Sequence, residues 1–242
     1  MYMTQVHAVT GPKGGPGKTT TTIHLSAVTA QTSKVLVTST DPQGNLEEWV
    51  SFANDRFIKE CERQGVSPSE GEDNDLPFDT FELIDPSTMQ VRFDLLPVLI
   101  EQGYDHIFID TPGSFESAAN VTRTLDVVDD VVLVMDEGPE SRTPTARAVD
   151  LVERKGIPYK ILVNKWNRQK SGGKADGPID TWRWIDERGW PRCSTAVKYL
   201  QIHPNSYEEG RPCTQYRNSK TGLLAREDYY KVALELYGGG RG

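Results

Sequence analysis

A lysine and a threonine that follow a run of glycines have the residue types and spacing in this chain that point most directly to chemistry. They lie in Gly11-Pro12-Lys13-Gly14-Gly15-Pro16-Gly17-Lys18-Thr19-Thr20, directly after the apolar run Gln5-Val6-His7-Ala8-Val9. Gly14, Gly15 and Gly17 carry no side chain, so successive backbone N–H groups can turn inward on an anion that a Cβ would obstruct. A helix opening at residue 18 would add the partial positive charge of its N-terminus. Lys18 can then reach terminal phosphate oxygens, and the Thr19 hydroxyl can ligate Mg²⁺. The strict pattern G-x-x-x-x-G-K-[ST] needs glycine at position 12, where this chain has Pro12. The bland alternative, a glycine-rich turn between strand and helix, leaves the adjacent Lys-Thr pair unexplained.

Two carboxylates stand where such a loop needs them. Thr38-Ser39-Thr40-Asp41-Pro42-Gln43-Gly44-Asn45 ends one strand-like run, and His106-Ile107-Phe108-Ile109-Asp110-Thr111-Pro112-Gly113 ends another. Parallel sheets build their sites at the carboxyl ends of strands. The competing reading of Asp41 is a cap on the helix that follows. A third strand-like run leads into Asn164-Lys165-Trp166-Asn167. This invites comparison with N-K-x-D, the guanine reader, but guanine offers two N–H donors to a carboxylate, and Asn167 has one amide oxygen to accept them. The guanine reading is therefore disfavoured.

Lys13-Gly14-Gly15-x-Gly17-Lys18-Thr19 resembles the deviant P-loop of the ParA/MinD family of ATPases, marked by the additional lysine at the position of Lys13. The resemblance implies ATP and Mg²⁺ as cofactors, with Gly14, Gly15, Gly17, Lys18, Thr19 and Thr20 around the phosphates. It also implies a sandwich dimer in the ATP state, in which Lys13 reaches the other subunit's phosphates and does the electrostatic work of an arginine finger. The 38–45 segment is similar to D-x-D-P-Q-G-N, with Asp41 at the second aspartate and Ser39 in place of the first. By resemblance Asp41 orients the attacking water and helps hold the magnesium shell. Asp110 matches the Walker B carboxylate that binds Mg²⁺ through water, Gly113 senses the γ-phosphate through its N–H, and Asn164 lies on the adenine side. Lys13, Lys18 and Asp41 are the implied catalytic set; Thr19, Asp41 and Asp110 are the implied metal set.

The resemblance extends over about residues 5–237. Residues 195–216 resemble the family's strand, helix and Gly-[KR]-Pro turn, here Gly210-Arg211-Pro212, whereas Met135-Asp136 replaces the usual Pro-Val. Family members that segregate DNA bind it without sequence preference through basic residues in this third, which match Lys198, Arg217 and Lys220, with Arg211 nearby. The implied function is a short ParA-type partition ATPase whose hydrolysis is slow until a ParB-like centromere-binding or cargo adaptor protein stimulates it. One alternative is the same cycle positioning a protein cargo over the nucleoid. Others are a P-loop biosynthetic ligase, such as a dethiobiotin-synthetase-like enzyme, and a nucleotide-dependent scaffold. The D-P-Q-G run argues against the ligase. A redox iron protein is excluded by the number and spacing of the cysteines.

The elements that must position these groups follow from apolar patterning. Strands are expected near 5–10, 34–39, 79–84, 104–110, 130–135 and 158–163, with cores such as Val131-Val132-Leu133-Val134 that suit a parallel sheet covered on both faces. Helices are expected near 18–31, 45–63, 87–102, 115–127, 142–155 and 222–237, with loops at 65–77 and 168–178. Trp182 and Ile185 are expected to pack a further helix onto the core. The alternation predicts a single-domain α/β fold, a doubly wound and mostly parallel sheet of the ParA/MinD/nitrogenase-iron-protein-like kind. Its domain would cover 1–237, and 238–242 would be a disordered tail.

Composition narrows the setting. The 242 residues are 36% hydrophobic and 26% charged, with no apolar run long enough to span a bilayer. Three scattered cysteines, Cys61, Cys193 and Cys213, argue for a reducing compartment without a disulfide framework, zinc or an iron–sulfur site. With a strand-like run from residue 5 and the loop from residue 11, neither a signal peptide nor an N-terminal DNA-reading domain is expected, and 226–235 lacks the cationic face of a membrane-anchoring helix. Cytoplasmic, nucleoid-associated placement without membrane attachment is the expectation. The net charge of −8 is unevenly distributed: residues 1–153 carry 10 Lys and Arg against 26 Asp and Glu, whereas 154–231 carry 16 against 8. Such asymmetry is the pattern of a chain that meets a polyanion with one region only.

Overall fold

The computed structural model describes residues 3–11, 15–68, 73–113, 118–167 and 177–238. Strands alternate with helices: β1 (Gln5–Thr10), α1 (Lys18–Thr29), β2 (Val35–Ser39), α2 (Asn45–Gln64) and β3 (Asp79–Phe81) come first. The short β4 (Ile84–Asp85), β5 (Gln90–Val91) and α3 (Leu96–Ile100) follow. They lead to β6 (His106–Asp110), α4 (Ala118–Leu125), β7 (Asp130–Asp136), α5 (Arg142–Arg154) and β8 (Tyr159–Asn164). The chain then adds α6 (Ile179–Asp186), α7 (Ile202–Glu208) and α8 (Lys220–Tyr237).

Six strands form one parallel sheet in the order β3-β2-β6-β1-β7-β8. Both faces are covered, and the two-residue period of a strand sends alternate side chains to each. Val35, Val37, Phe108, Val132, Val134 and Leu162 enter one core with α1, α2 and α8. Val131, Leu133, Met135, Ile161 and Val163 point into a second core, where Ile185 is fully buried and Trp182 packs at the edge as expected of their helix. Leu36, Ile107 and Ile109 enter a third, closed by Leu83, Leu96 and Leu99.

One expected element is replaced. The segment read as a strand at 79–84 and a helix at 87–102 divides into β3, an antiparallel β4–β5 pair and the short α3. Asp85 is responsible: its Oδ1 accepts from the Ser87 N–H at 2.8 Å and the Ser87 hydroxyl at 2.6 Å, closing a turn where helix was expected. Met89 completes the reversal with φ 55°. The loop expected at 168–178 and the final glycine tail fall largely outside the described residues.

The carboxyl-terminal third is clamped to α2. Trp49 is wholly buried, and its indole N–H donates to the Ser206 carbonyl at 2.9 Å. Gly210, with φ +55°, lies so close to α2 that a Cβ would fall 2.1 Å from the Ala53 nitrogen. Replacing Gly210 by alanine therefore combines backbone strain with a collision against backbone that cannot give way. A loss of at least about 2 kcal/mol in urea unfolding free energy is the expected outcome for Gly210→Ala.

Candidate functional site

The loop between β1 and α1 opens on the carboxyl edge of the sheet. Of the residues expected to cradle phosphate, Lys13 and Gly14 lie outside the described residues. Gly15 and Gly17 both have the left-handed backbone their type permits, φ +76° and +86°. Two side chains approach glycines closely here. A Cβ on Gly17 would meet Asn164 Nδ2 at 2.5 Å, and a Cβ on Gly113 would meet Lys18 Nζ at 2.6 Å. Lys18 thus leaves the first turn of α1 and ends against the 111–113 loop, with Thr20 beside it on the cleft wall. Burial lowers the ammonium pKa, and the nearby Asp110, Asp41 and Asp136 carboxylates oppose that shift.

Asp110 closes β6 with no exposure to solvent. The Thr19 hydroxyl donates to its Oδ2 at 2.7 Å, and the Thr22 hydroxyl lies 3.4 Å from Oδ1. Burial pushes its pKa up to about 7 despite the pull of Thr19 and Lys18, and Asp41 and Glu47 add repulsion. Asp41 is almost as buried, and its Oδ1 accepts from the Gln43 N–H at 3.1 Å. It shapes the turn before α2, whereas the helix cap itself is Gly44. Ser39 donates no charge: its Oγ accepts from the Asp41 N–H at 3.0 Å. Ser39 is also the register partner of Asp110 across β2 and β6. A carboxylate there would add a third buried negative group beside the other two, so the serine relieves repulsion in this chain.

Asn164, at the end of β8, faces the loop from the other side. Its Nδ2 donates to the Pro16 carbonyl at 2.8 Å, and its Oδ1 accepts from the Lys165 N–H at 2.8 Å. The amide expected at the base is engaged in holding the phosphate loop. Lys165, which sequence reasoning passed over, has φ 55° and donates through Nζ to the Gly15 carbonyl. A non-glycine residue in that conformation is strained, and the ion–carbonyl contact helps to hold it.

Lys18, Thr19, Asp41, Gly113, Asn164 and Lys165 line one cleft of about 720 Å³, and Asp110 lies buried behind it, bonded to Thr19. Its far wall comes from the last third of the chain: Tyr199, Leu200, His203, Pro204, Tyr207 and Glu208. Motif reading could not have found this wall, because its residues share no spacing with the loop. Tyr207 ties the wall to the start of α2 through a hydrogen bond to the Asn45 carbonyl at 3.2 Å and another to Glu48. Of the four basic residues expected at a polyanion surface, two come together: half-buried Arg211 and exposed Arg217 line a separate cleft. Lys220 is exposed, and Lys198 forms an ion pair with the buried Asp228.

A glycine-rich phosphate loop opening a helix, two carboxylates at neighbouring strand ends and a doubly wound parallel sheet define the class of P-loop nucleotide-binding proteins. Within it, residues 7–174 match the family model of the CobQ/CobB/MinD/ParA nucleotide binding domain, and the chain belongs to that family. It is 27% identical over 236 residues to the maintenance of carboxysome distribution protein A of Gloeobacter kilaueensis, which covers 96% of this chain and 94% of the relative. Among solved structures it resembles the septum site-determining protein MinD of Pyrococcus horikoshii with Mg-ADP. The TM-score is 0.70 at 19% identity, covering 97% of this chain and 96% of that one. The ATP complex of a variant of Cyanothece McdA gives a TM-score of 0.64 at 14% identity, covering 98% of each chain. Both likenesses are of fold.

The raised Asp110 pKa has a consequence for stability in chelator-treated protein. Its folded value, about 7, lies above the ordinary aspartate value of 3.8, so its contribution is full below about 4 and is lost as pH rises to about 7. Asp110→Asn does not titrate. Wild-type stability relative to this variant should fall by at least about 1 kcal/mol between pH 5 and pH 8 in urea titrations. An unchanged difference would mean that Asp110 ionises at little cost.

Proposed function

We propose that this chain is a Mg-ATP-dependent ATPase switch of the ParA/MinD kind, acting in partition. The observation that carries the proposal is the convergence of Lys18, Thr19, Asp41 and Gly113 on one cleft, with Asp110 bonded to Thr19 directly behind it. The residues fit the implied metal: Asp110 is a desolvated carboxylate already bonded to the Thr19 hydroxyl, an arrangement that a divalent cation would relieve. Thr19 and Asp110 would hold that cation, with Asp41 in its outer shell. When bound, magnesium supplies positive charge against the β- and γ-phosphates.

The chain's own groups do the rest. Gly15, Gly17 and Thr20 cradle phosphate with backbone N–H groups, joined by Gly14 on the sequence pattern. Lys18 reaches the β- and γ-phosphates, Gly113 senses the γ-phosphate, and Asp41 orients the attacking water. Asn164 braces the loop beside the base. Lys13, from the resemblance, crosses to the phosphates of a second copy and makes the ATP state a homodimer. ATP and Mg²⁺ are supported by the solved structures of like fold, MinD with Mg-ADP and McdA with ATP.

In the first reading the dimer holds nonspecific double-stranded DNA through exposed cations, Arg217 and Lys220 foremost, and a ParB-like partner stimulates otherwise slow hydrolysis that releases it. The protein would then work in the cytoplasm on the nucleoid. Among the described residues no helix is long and apolar enough to cross a membrane. A second reading, positioning of a protein cargo by the same cycle, is favoured by the end-to-end likeness to a carboxysome distribution protein.

Gel shifts of a duplex with ADP, ATP and ATP plus Mg²⁺ test the switch. Retardation is expected only with ATP, persisting in Asp41→Ala because hydrolysis is blocked; equal retardation in every nucleotide state would remove the model. For Lys13→Ala the expected result is retained nucleotide binding with loss of stable dimers and turnover, read by light scattering and phosphate release. Normal turnover would dispose of its role across subunits.

A further inference from the structure

β2 ends at Ser39, and the chain leaves the sheet through Thr40 and Asp41. The Thr40 N–H continues the ladder for one more bond, donating to the Asp110 carbonyl at 2.9 Å. The next peptide unit, between Thr40 and Asp41, lies beyond the strand and is taken up by two side chains. Ser39 Oγ accepts from the Asp41 N–H at 3.0 Å, and Asn120 Nδ2 donates to the Thr40 carbonyl at 3.3 Å. The peptide is planar, so holding both its N–H and its C=O fixes its orientation. The direction in which Asp41 leaves the backbone is fixed with it.

Asn120 lies in the first turn of α4, and that helix grips Thr40 at a second point. One turn further on, the Thr124 hydroxyl donates to the Asn120 carbonyl at 2.8 Å. A hydroxyl has one hydrogen to give, so toward Thr40 Oγ1, 3.1 Å away, Thr124 acts as the acceptor. Thr40 and Thr124 have no exposure to solvent. Water cannot replace either partner there, and a buried hydroxyl left unpaired is costly.

Asp41 has further bonds of its own. Its Oδ1 accepts from the Gln43 N–H and its carbonyl from the Gly44 N–H, both at 3.1 Å. Those bonds shape the turn toward α2, but they join residues of the turn to one another and leave it able to pivot on the 40–41 peptide. The contacts with Ser39 and α4 are the ones that tie the peptide to the body of the protein.

We propose that Ser39, Asn120 and Thr124 are positioning residues for Asp41, a role that rests on Asp41 orienting the attacking water. None of the three lines the nucleotide cleft, so each acts through the 40–41 peptide and not on the nucleotide. Loosening that peptide tilts the carboxylate and slows turnover, whereas ATP stays bound through the phosphate loop. Ser39 thereby does two things: it spares Asp110 a neighbouring charge and it holds the Asp41 N–H.

Calorimetric Mg-ATP binding and single-turnover phosphate release, both with the full chain, test this. Thr124→Val keeps the shape of the buried side chain without its hydroxyl, Thr124→Ser returns the hydroxyl, and Asn120→Ala removes an amide from a half-buried position. Release is expected to slow about tenfold or more in Thr124→Val and Asn120→Ala, with the ATP Kd within about threefold of wild type. Thr124→Ser should release phosphate at close to the wild-type rate. Because both residues act through Thr40, the double variant should lose less than the product of the two single losses. Asn120→Ala decides the matter if Thr124→Val does not fold. Unchanged release in both variants, a Kd that rises in step with the lost rate, or a Thr124→Ser as slow as Thr124→Val would overturn the proposal. A wild-type chain that fails to bind or to hydrolyse ATP would instead bring down the ATPase reading, and this role with it.

Discussion

Asp110 ends the central strand β6 with a carboxylate from which water is excluded, and the surrounding groups are arranged around that unfavourable burial. The Thr19 hydroxyl bonds it, Thr22 approaches it, and Lys18 supplies a counter-charge that is itself partly desolvated. None of these satisfies a full negative charge in a dry setting, which is why the carboxyl pKa stands near 7. The site therefore carries a carboxylate whose ionised form is poorly compensated by its neighbours. Ser39 belongs to the same economy of charge. It sits across from Asp110 in the sheet and contributes a hydroxyl acceptor where another carboxylate would have deepened the strain.

The second constraint is the clamp between α2 and the last third of the chain. α2 begins four residues after Asp41, and Tyr207, Trp49 and Gly210 fasten its first half to α7 and the turn beyond. The far wall of the nucleotide cleft and the loop carrying Asp41 are thus parts of one packed unit. Packed side chains pass displacement on instead of absorbing it.

Much of the fold was legible because burial on both faces gives parallel strands continuous apolar runs. Val131–Val134 and Ile161–Val163 read as strands and are strands. The failure at 87–102 came from the same kind of pattern. Apolar spacing suggested a helix, but Asp85, Ser87 and Thr88 offered the backbone a competing set of hydrogen bonds that closes a turn. Asn164 shows what a motif at a strand end leaves out: its residue type does not announce that its amide also braces Pro16.

The amino-acid sequence by itself determined the phosphate loop, the two acid-bearing strand ends and the sheet that carries them, because each is a local pattern whose chemistry follows from residue type and short-range spacing. Tertiary structure alone decided how those groups are charged and what else meets them. The desolvation of Asp110, the ion pair that engages Lys198 with Asp228, and the cleft around Arg56 and Arg211 all join residues far apart in the chain. Burial and pairing depend on which distant surfaces come together, and no local spacing encodes that.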